Sequence, residues 1–241
     1  MHLPLYPVPS DTWQDEYEAC LADPYLQKKY DREKSIREHV DYFGRYCPEL
    51  VPVTKPPGLV VDIGPGFGVG LEVARQLGYD TIGVESPSGD GGMGDAYHRL
   101  SRLLHARQKL AVTYVGWQEW VEAAEIPEDS VFLFNSRGSW EQCYAELLSG
   151  PPHDRHHDCK QQTWDQIVTC VIRWRRAFAF MASRLVPGGL VLIHANGTGS
   201  STSDRWYSAA IAAAGEFAGL ELALKEGNKL HKWKKPQLME T

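Results

Sequence analysis

Short apolar runs alternate with longer stretches of helical spacing over most of this chain. Residues 59–63 are apolar apart from Asp62 and predict a buried strand. Residues 69–77 carry apolar side chains at helical spacing and run out at Gly78. A second strand is predicted at 81–84, a helix at 95–107, a third strand at 111–115 and a fourth at 131–134. Residues 163–185 predict a long helix, with Trp164, Ile167, Val168, Val171, Trp174, Phe178 and Met181 along one face. Pro187-Gly188-Gly189 predicts a turn into a fifth strand at 190–195. A helix at 204–217 follows, and then a last pair of strands at 220–225 and 230–233, suited to an antiparallel end of a sheet. Short strands alternating with helices predict an α/β fold with a doubly wound, mostly parallel sheet.

Before residue 58 the pattern differs. Three prolines in residues 1–12 suggest a loose arm, without the cationic lead of a signal peptide. Residues 13–46 read as helical, with Tyr30, Ile36, Val40 and Phe43 at apolar positions among many charges. Cys47-Pro48 stops that pattern, and 51–58 is a proline-rich linker. The expected division is an N-terminal helical extension at 1–57 and a sheet-bearing domain at 58–241. A chain of 241 residues suits one large α/β domain with additions.

The most specific chemistry lies where the first two strands end. Val60-Val61-Asp62-Ile63 runs into Gly64-Pro65-Gly66-Phe67-Gly68, and Gly83-Val84-Glu85-Ser86 closes the second strand. A strand, a glycine turn, a helix and a second strand ending in a carboxylate form a unit that binds a nucleoside-bearing cofactor. A dinucleotide fingerprint would place its third glycine at 69, but position 69 is Val and the glycine is at 68. Asp62, two residues before the first glycine, would repel a diphosphate and welcome a cationic amino-acid end.

These residues resemble the class I S-adenosylmethionine-dependent methyltransferases. Two later stretches are similar to that family's approaches to its fourth and fifth strands: Ile126-Pro127-Glu128-Asp129-Ser130-Val131-Phe132, and Arg184-Leu185-Val186-Pro187-Gly188-Gly189. The resemblance covers roughly residues 58–225. It implies a seven-stranded sheet and S-adenosyl-L-methionine as cofactor. It also implies that Asp62, Gly64, Pro65, Gly66 and Gly68 hold the methionine part, while Glu85, followed by Ser86, accepts from the ribose hydroxyls. Asn135, at the end of the fourth strand, would line the same crevice. The family often places an acid or small polar residue after its third strand to meet adenine, whereas this chain has Gly116-Trp117-Gln118. Gln118 could make that contact with Trp117 covering the ring, or Trp117 and Trp120 could be core for the next helix.

The reaction centre is less legible. A methyl on a sulfonium is already activated, so a protein must align a nucleophile and, for an oxygen, remove a proton. Asn135-Ser136-Arg137-Gly138-Ser139-Trp140 follows the fourth strand. It lacks the Pro-Pro that base-methylating members carry after their Asp or Asn, which disfavours nucleic-acid bases as acceptors. Arg137 is a candidate for pairing with a substrate carboxylate or phosphate, or for a structural salt bridge. His194, near the end of the fifth strand, is a candidate base or a hydrogen-bonded scaffold residue. Trp140 is a further candidate for touching substrate. Residues 151–159 hold three histidines, two acids and a cysteine beside two prolines. That segment suits a substrate lid, an exposed loop or a divalent metal, and no metal is assigned. The loop 86–94 reads as a connection that orders on cofactor binding.

Composition narrows the partners. A net charge of -6 argues against a general nucleic-acid surface, although His231-Lys232-Trp233-Lys234-Lys235 is locally basic. Five scattered cysteines without a Cys-x-x-Cys pair indicate neither a disulfide framework nor a zinc knuckle. No apolar run approaches membrane length. The expectation is a cytoplasmic enzyme that methylates an oxygen or nitrogen of a small molecule, with no membrane association. Its rivals are a nucleic-acid or protein methyltransferase on the same fold and a non-catalytic interaction subunit. The pattern says nothing of oligomeric state.

Overall fold

The computed structural model describes residues 13–22, 24, 26, 31–50, 58–85, 94–137, 164–194, 202–227 and 230–237. The strands are β1 (Leu59–Ile63), β2 (Asp80–Glu85), β3 (Val112–Tyr114), β4 (Val131–Arg137), β5 (Leu185–His194), β6 (Glu221–Glu226) and β7 (Leu230–Lys234). They form one seven-stranded sheet in the order β3-β2-β1-β4-β5-β7-β6. β1 to β5 are parallel, and β7 runs antiparallel between β5 and β6. The chain winds outward from β1 to β3, then returns to lay β4 on the other side of β1. The strand order switches between β1 and β4, and in open α/β sheets ligands collect at the carboxyl ends of the strands at such a point.

The helices are α1 (Trp13–Leu21), α2 (Arg32–Tyr46), α3 (Val69–Gln76), α4 (Gly94–Arg107), α5 (Trp117–Ala123), α6 (Trp164–Arg184) and α7 (Thr202–Phe217). Strand alternation divides the core between them. Val61, Ile63, Phe134, Val191 and Ile193 pack with Trp120, Trp174, Phe178, Met181 and Ile211 of α5, α6 and α7. Val60, Leu133, Leu190 and Leu192 face the other way, onto Tyr42 and Phe43 of α2, Cys47, Leu50, and Val69 and Val73 of α3. The N-terminal extension therefore supplies part of the core, and the ion pairs Arg32–Glu72 and Lys232–Glu49 tie it down. By the same alternation, Asp62, Asn135, Arg137 and His194 lie on the α2 side of the sheet.

Three expectations need correction. Residues 13–46 are not one helix: α1 ends at Leu21, Pro24 and Leu26 are again helical, and α2 starts at Arg32. Asp31 then caps α2 by accepting from the Lys34 backbone N–H at 2.9 Å. β4 does not stop at Phe134, because Asn135, Ser136 and Arg137 still pair with Leu192, Ile193 and His194 of β5. Pro187-Gly188-Gly189 is not a turn before β5 but a bulge within it. Val131 pairs with Leu185 and Leu133 with Leu190, and Gly188 takes a left-handed φ of 81°. Residues 117–123 form α5, the helix considered after the third strand. Among the described residues no helix is long and apolar enough to cross a membrane. The expected arm at 1–12, and the expected linker at 51–58 apart from Gly58, lie outside the described residues.

Candidate functional site

The turn after β1 is built from left-handed backbone. Gly64, Gly66 and Gly68 have φ of 70°, 57° and 79°, a region that only glycine enters without strain. The Gly64 N–H donates to Val84 O at 2.8 Å, and the Gly68 N–H to Pro65 O at 2.9 Å. Gly68 then starts α3. The Gly66 N–H donates to Glu85 Oε2 at 3.2 Å, so the acid closing β2 holds the middle of the turn. Pro65 is buried against β2, 3.1 Å from where a Cβ on Gly83 would stand.

α4 supports the turn from behind. His105 Nδ1 is 2.6 Å from the Tyr114 hydroxyl, and burial pulls the imidazole down to about 4, so it is neutral near pH 7. A Cβ on Gly68 would stand 2.4 Å from Leu110 Cδ1 and 2.9 Å from His105 Cδ2. Gly68→Ala joins that overlap to an unfavourable φ and should cost about 2–3 kcal/mol, or roughly 5–10 °C of melting temperature. Thermal denaturation measures this, and an unchanged midpoint would mean that α4 moves aside freely.

Beside the turn lies a buried polar chain. Asp62 is 4% exposed, and Asn135 is its register partner on β4. Asn135 Nδ2 donates to Asp62 Oδ1 at 2.7 Å, and Asn135 Oδ1 accepts from the Tyr42 hydroxyl at 3.5 Å. Asp62 Oδ2 has no hydrogen-bond partner among the described residues. It faces the first turn of α3, 2.8 Å from where a Cβ on Gly70 would stand. Burial pushes the Asp62 carboxyl up to about 6, opposed by the Asn135 hydrogen bond and the Arg137 charge.

Tyr42 connects this chain to the two predicted acceptor-side residues. Its ring stacks on His194 at 5.8 Å and 11° and carries the Arg137 guanidinium 4.9 Å from its centroid. Tyr46 meets His194 edge-on at 6.2 Å. Burial raises the Tyr42 hydroxyl well above its ordinary value, so it stays protonated. His39 is the other residue absent from the expectations. Its Nδ1 donates to Ser35 O at 2.8 Å, which fixes the tautomer, and its Nε2 has no hydrogen-bond partner among the described residues. Burial and the nearby Arg137 lower its pKa, against that hydrogen bond and Glu38. A signal for both residues existed: Ile36, His39, Tyr42, Phe43 and Tyr46 share one face of α2 at helical spacing.

The structure thus brings Asp62, Gly64, Gly66, Gly68, Glu85, Asn135, Arg137 and His194 to the carboxyl end of the sheet. Trp117 is 3% exposed and stacks on Trp120 at 5.1 Å within the core. Ser86, the loop that follows it, Trp140 and the cluster at 153–159 lie outside the described residues, as does the side chain of Gln118.

No protein-family model matches the chain. A curated NAD(P)H-hydrate epimerase of Mycosarcoma maydis is 31% identical over 123 residues, covering 47% of this chain and 45% of that protein. The chain therefore spans less than half the length of that relative. Among solved structures, it resembles a SAM dependent methyltransferase from Archaeoglobus fulgidus with a TM-score of 0.51 and 14% identity, over 88% of this chain and 100% of that one. DesVI of Streptomyces venezuelae matches with a TM-score of 0.51 and 16% identity, over 96% and 100%. Phosphoethanolamine N-methyltransferase 2 of Haemonchus contortus aligns with a TM-score of 0.42 and 17% identity over 77% of this chain, which covers 37% of that one. The chain has the fold of the class I S-adenosylmethionine-dependent methyltransferases, with an antiparallel edge to its sheet.

Proposed function

We propose that this chain binds S-adenosylmethionine at the carboxyl end of β1 and directs its methyl to an oxygen or nitrogen of a small molecule. The observation that carries the reading is the left-handed glycine turn held by Glu85 beside the buried Asp62. A carboxylate accepts several hydrogen bonds, so Glu85 can hold the Gly66 N–H and still accept from vicinal ribose hydroxyls. The glycines leave the backbone open to close approach. Asp62 Oδ2 suits a cationic ammonium and would repel the diphosphate of a dinucleotide.

When bound, the cofactor supplies an electrophilic methyl with a neutral thioether as leaving group. Displacement by the acceptor then leaves S-adenosylhomocysteine. The chain has to orient the acceptor and exclude water. α2 covers the ends of β4 and β5 with Tyr42, Tyr46 and His39, an enclosure that supports a small acceptor over a polymer. His194 and His39 are the candidate bases for an oxygen acceptor. His39 is the better prepared, since its fixed tautomer leaves the Nε2 lone pair to receive a proton. Cys47 is a free, buried thiol, which suits a reducing cytoplasm.

Calorimetric titration with S-adenosylmethionine and S-adenosylhomocysteine tests the cofactor, and methyl-labelled cofactor with acceptor panels tests transfer. Folded protein that binds neither would overturn the reading. The same titration has a defined pH dependence. Asp62 rises from 3.8 to about 6 in the folded protein, so the fold holds this proton more tightly than the unfolded chain does. Its contribution to stability is therefore greatest below about pH 4 and falls as pH rises through 6. A cationic ligand needs the ionised form. Affinity should be flat above pH 7 and fall about tenfold per unit below 6, with proton release on binding. Asp62→Asn should bind weakly at every pH without that slope.

A further inference from the structure

We infer that the methyl acceptor carries an oxyanion, a carboxylate or a phosphate, which pairs with Arg137 against the ring of Tyr42 at the ends of β4 and β5. The inference rests on the proposed function and names the class of its acceptor.

The strand register places Arg137 beyond the cofactor acid. Asp62 is level with Asn135, and Arg137 follows two residues later on the same face of β4. Its backbone therefore stands roughly 7 Å further along the strand, past the last residue that β1 pairs. Arg137 and His194 form the final register pair of β4 and β5. Neighbouring strands lie about 4.8 Å apart, so the two side chains rise together from one face.

Tyr42 of α2 closes over both. Its ring lies 4.9 Å from the Arg137 guanidinium carbon and stacks on His194 at 5.8 Å, and its hydroxyl is tied to Asn135 Oδ1 at 3.5 Å. Contact with a ring face orients a guanidinium and satisfies none of its five N–H donors. Among the described residues Arg137 makes no ion pair and no hydrogen bond. Asp62, the buried acid on this face, is bonded to the Asn135 amide instead. Arg45 pairs with Glu226 although its side chain is 66% exposed, whereas the half-buried Arg137 stands without an acid. Charge in a partly desolvated place is costly to leave unpaired, and the guanidinium fork matches a carboxylate or phosphate. An anion there would also meet the positive sulfonium of a bound cofactor. Tyr46, edge-on to His194 at 6.2 Å, adds a second ring beside the same place, which suits a flat acceptor.

The probes are benzoate and phenyl phosphate, each against a neutral counterpart, benzamide and benzyl alcohol. They are titrated calorimetrically into the full chain saturated with S-adenosylhomocysteine. At least one anion should bind about tenfold more tightly than its counterpart. Preference for benzoate alone assigns a carboxylate acceptor, preference for phenyl phosphate alone a phosphorylated one, and preference for both supports either oxyanion. Arg137→Met should abolish the preference while leaving the affinity for S-adenosylhomocysteine and the melting temperature unchanged, and Arg137→Lys should retain part of it. Wild type that prefers neither anion overturns the inference, whatever the variants do. A preference that survives Arg137→Met overturns it as well. If Arg137→Met instead weakens S-adenosylhomocysteine about tenfold, Arg137 belongs to the cofactor, and the inference falls while the cofactor reading stands. Wild type that does not bind S-adenosylhomocysteine overturns both.

Discussion

Glu85→Ala should lower the affinity for S-adenosylhomocysteine about 100- to 1,000-fold in a protein that still folds. Two consequences of the truncation add. On the proposed reading the ribose hydroxyls would lose a charged acceptor, and hydrogen bonds to charged groups contribute about 1.5–3 kcal/mol each. The Gly66 N–H also loses its partner at 3.2 Å, which loosens the turn that must meet the cofactor. Glu85→Gln keeps one acceptor oxygen and should fall between the two. Calorimetry gives the affinities, and thermal melting separates lost binding from lost fold. A Glu85→Ala protein that binds within threefold of wild type would remove Glu85 from the site.

The largest effect on stability is expected at Trp233→Ala. Trp233 is fully buried in β7, edge-on to Phe178 at 4.9 Å and stacked on His231 at 5.4 Å. α7 approaches it so closely that a Cβ on Gly215 would stand 2.2 Å from Trp233 Nε1. Cutting the indole leaves a cavity between sheet and helix, and such truncations cost about 3–5 kcal/mol. Against a typical total of about 5–15 kcal/mol, that is a drop of roughly 6–20 °C in midpoint. Gly215→Leu should be comparably damaging for the opposite reason, since it forces a side chain into occupied space. Circular dichroism on heating reads both. A Trp233→Ala midpoint within 2 °C of wild type, a bound set by roughly 1 kcal/mol, would mean that the helix collapses onto the sheet without loss.

The parts of this molecule legible from sequence are those whose cause is local. β1, the glycine turn, α3 and β2 follow from the contiguous stretch 59–85, and each has the expected conformation. β4 was legible only to Phe134, because Asn135-Ser136-Arg137 is polar and pairs through its backbone with a strand more than fifty residues away. The bulge at Pro187–Gly189 looked like a turn because its residues are turn-formers. Only the register against β4 shows that the strand continues through it. Tyr42 and His39 escaped notice because nothing within α2 distinguishes a residue buried against hydrophobic strands from one buried over a charged crevice. That distinction depends on Asn135, ninety-three positions along the chain.

β7 lies between β5 and β6, and its Lys232 pairs with Glu49 across 183 residues of sequence. During synthesis the early helix α2 emerges long before its partner does. Until residues 230–234 leave the ribosome, β5 presents an unpaired edge with Leu190, Leu192 and Ile193 in line. The sheet therefore cannot close vectorially, from one end to the other. The nascent chain has to keep a sticky strand from pairing with a neighbour while its last hairpin is made. Expression should be most sensitive to substitutions in β7, even those remote from the crevice, and most responsive to holdase chaperones at that stage.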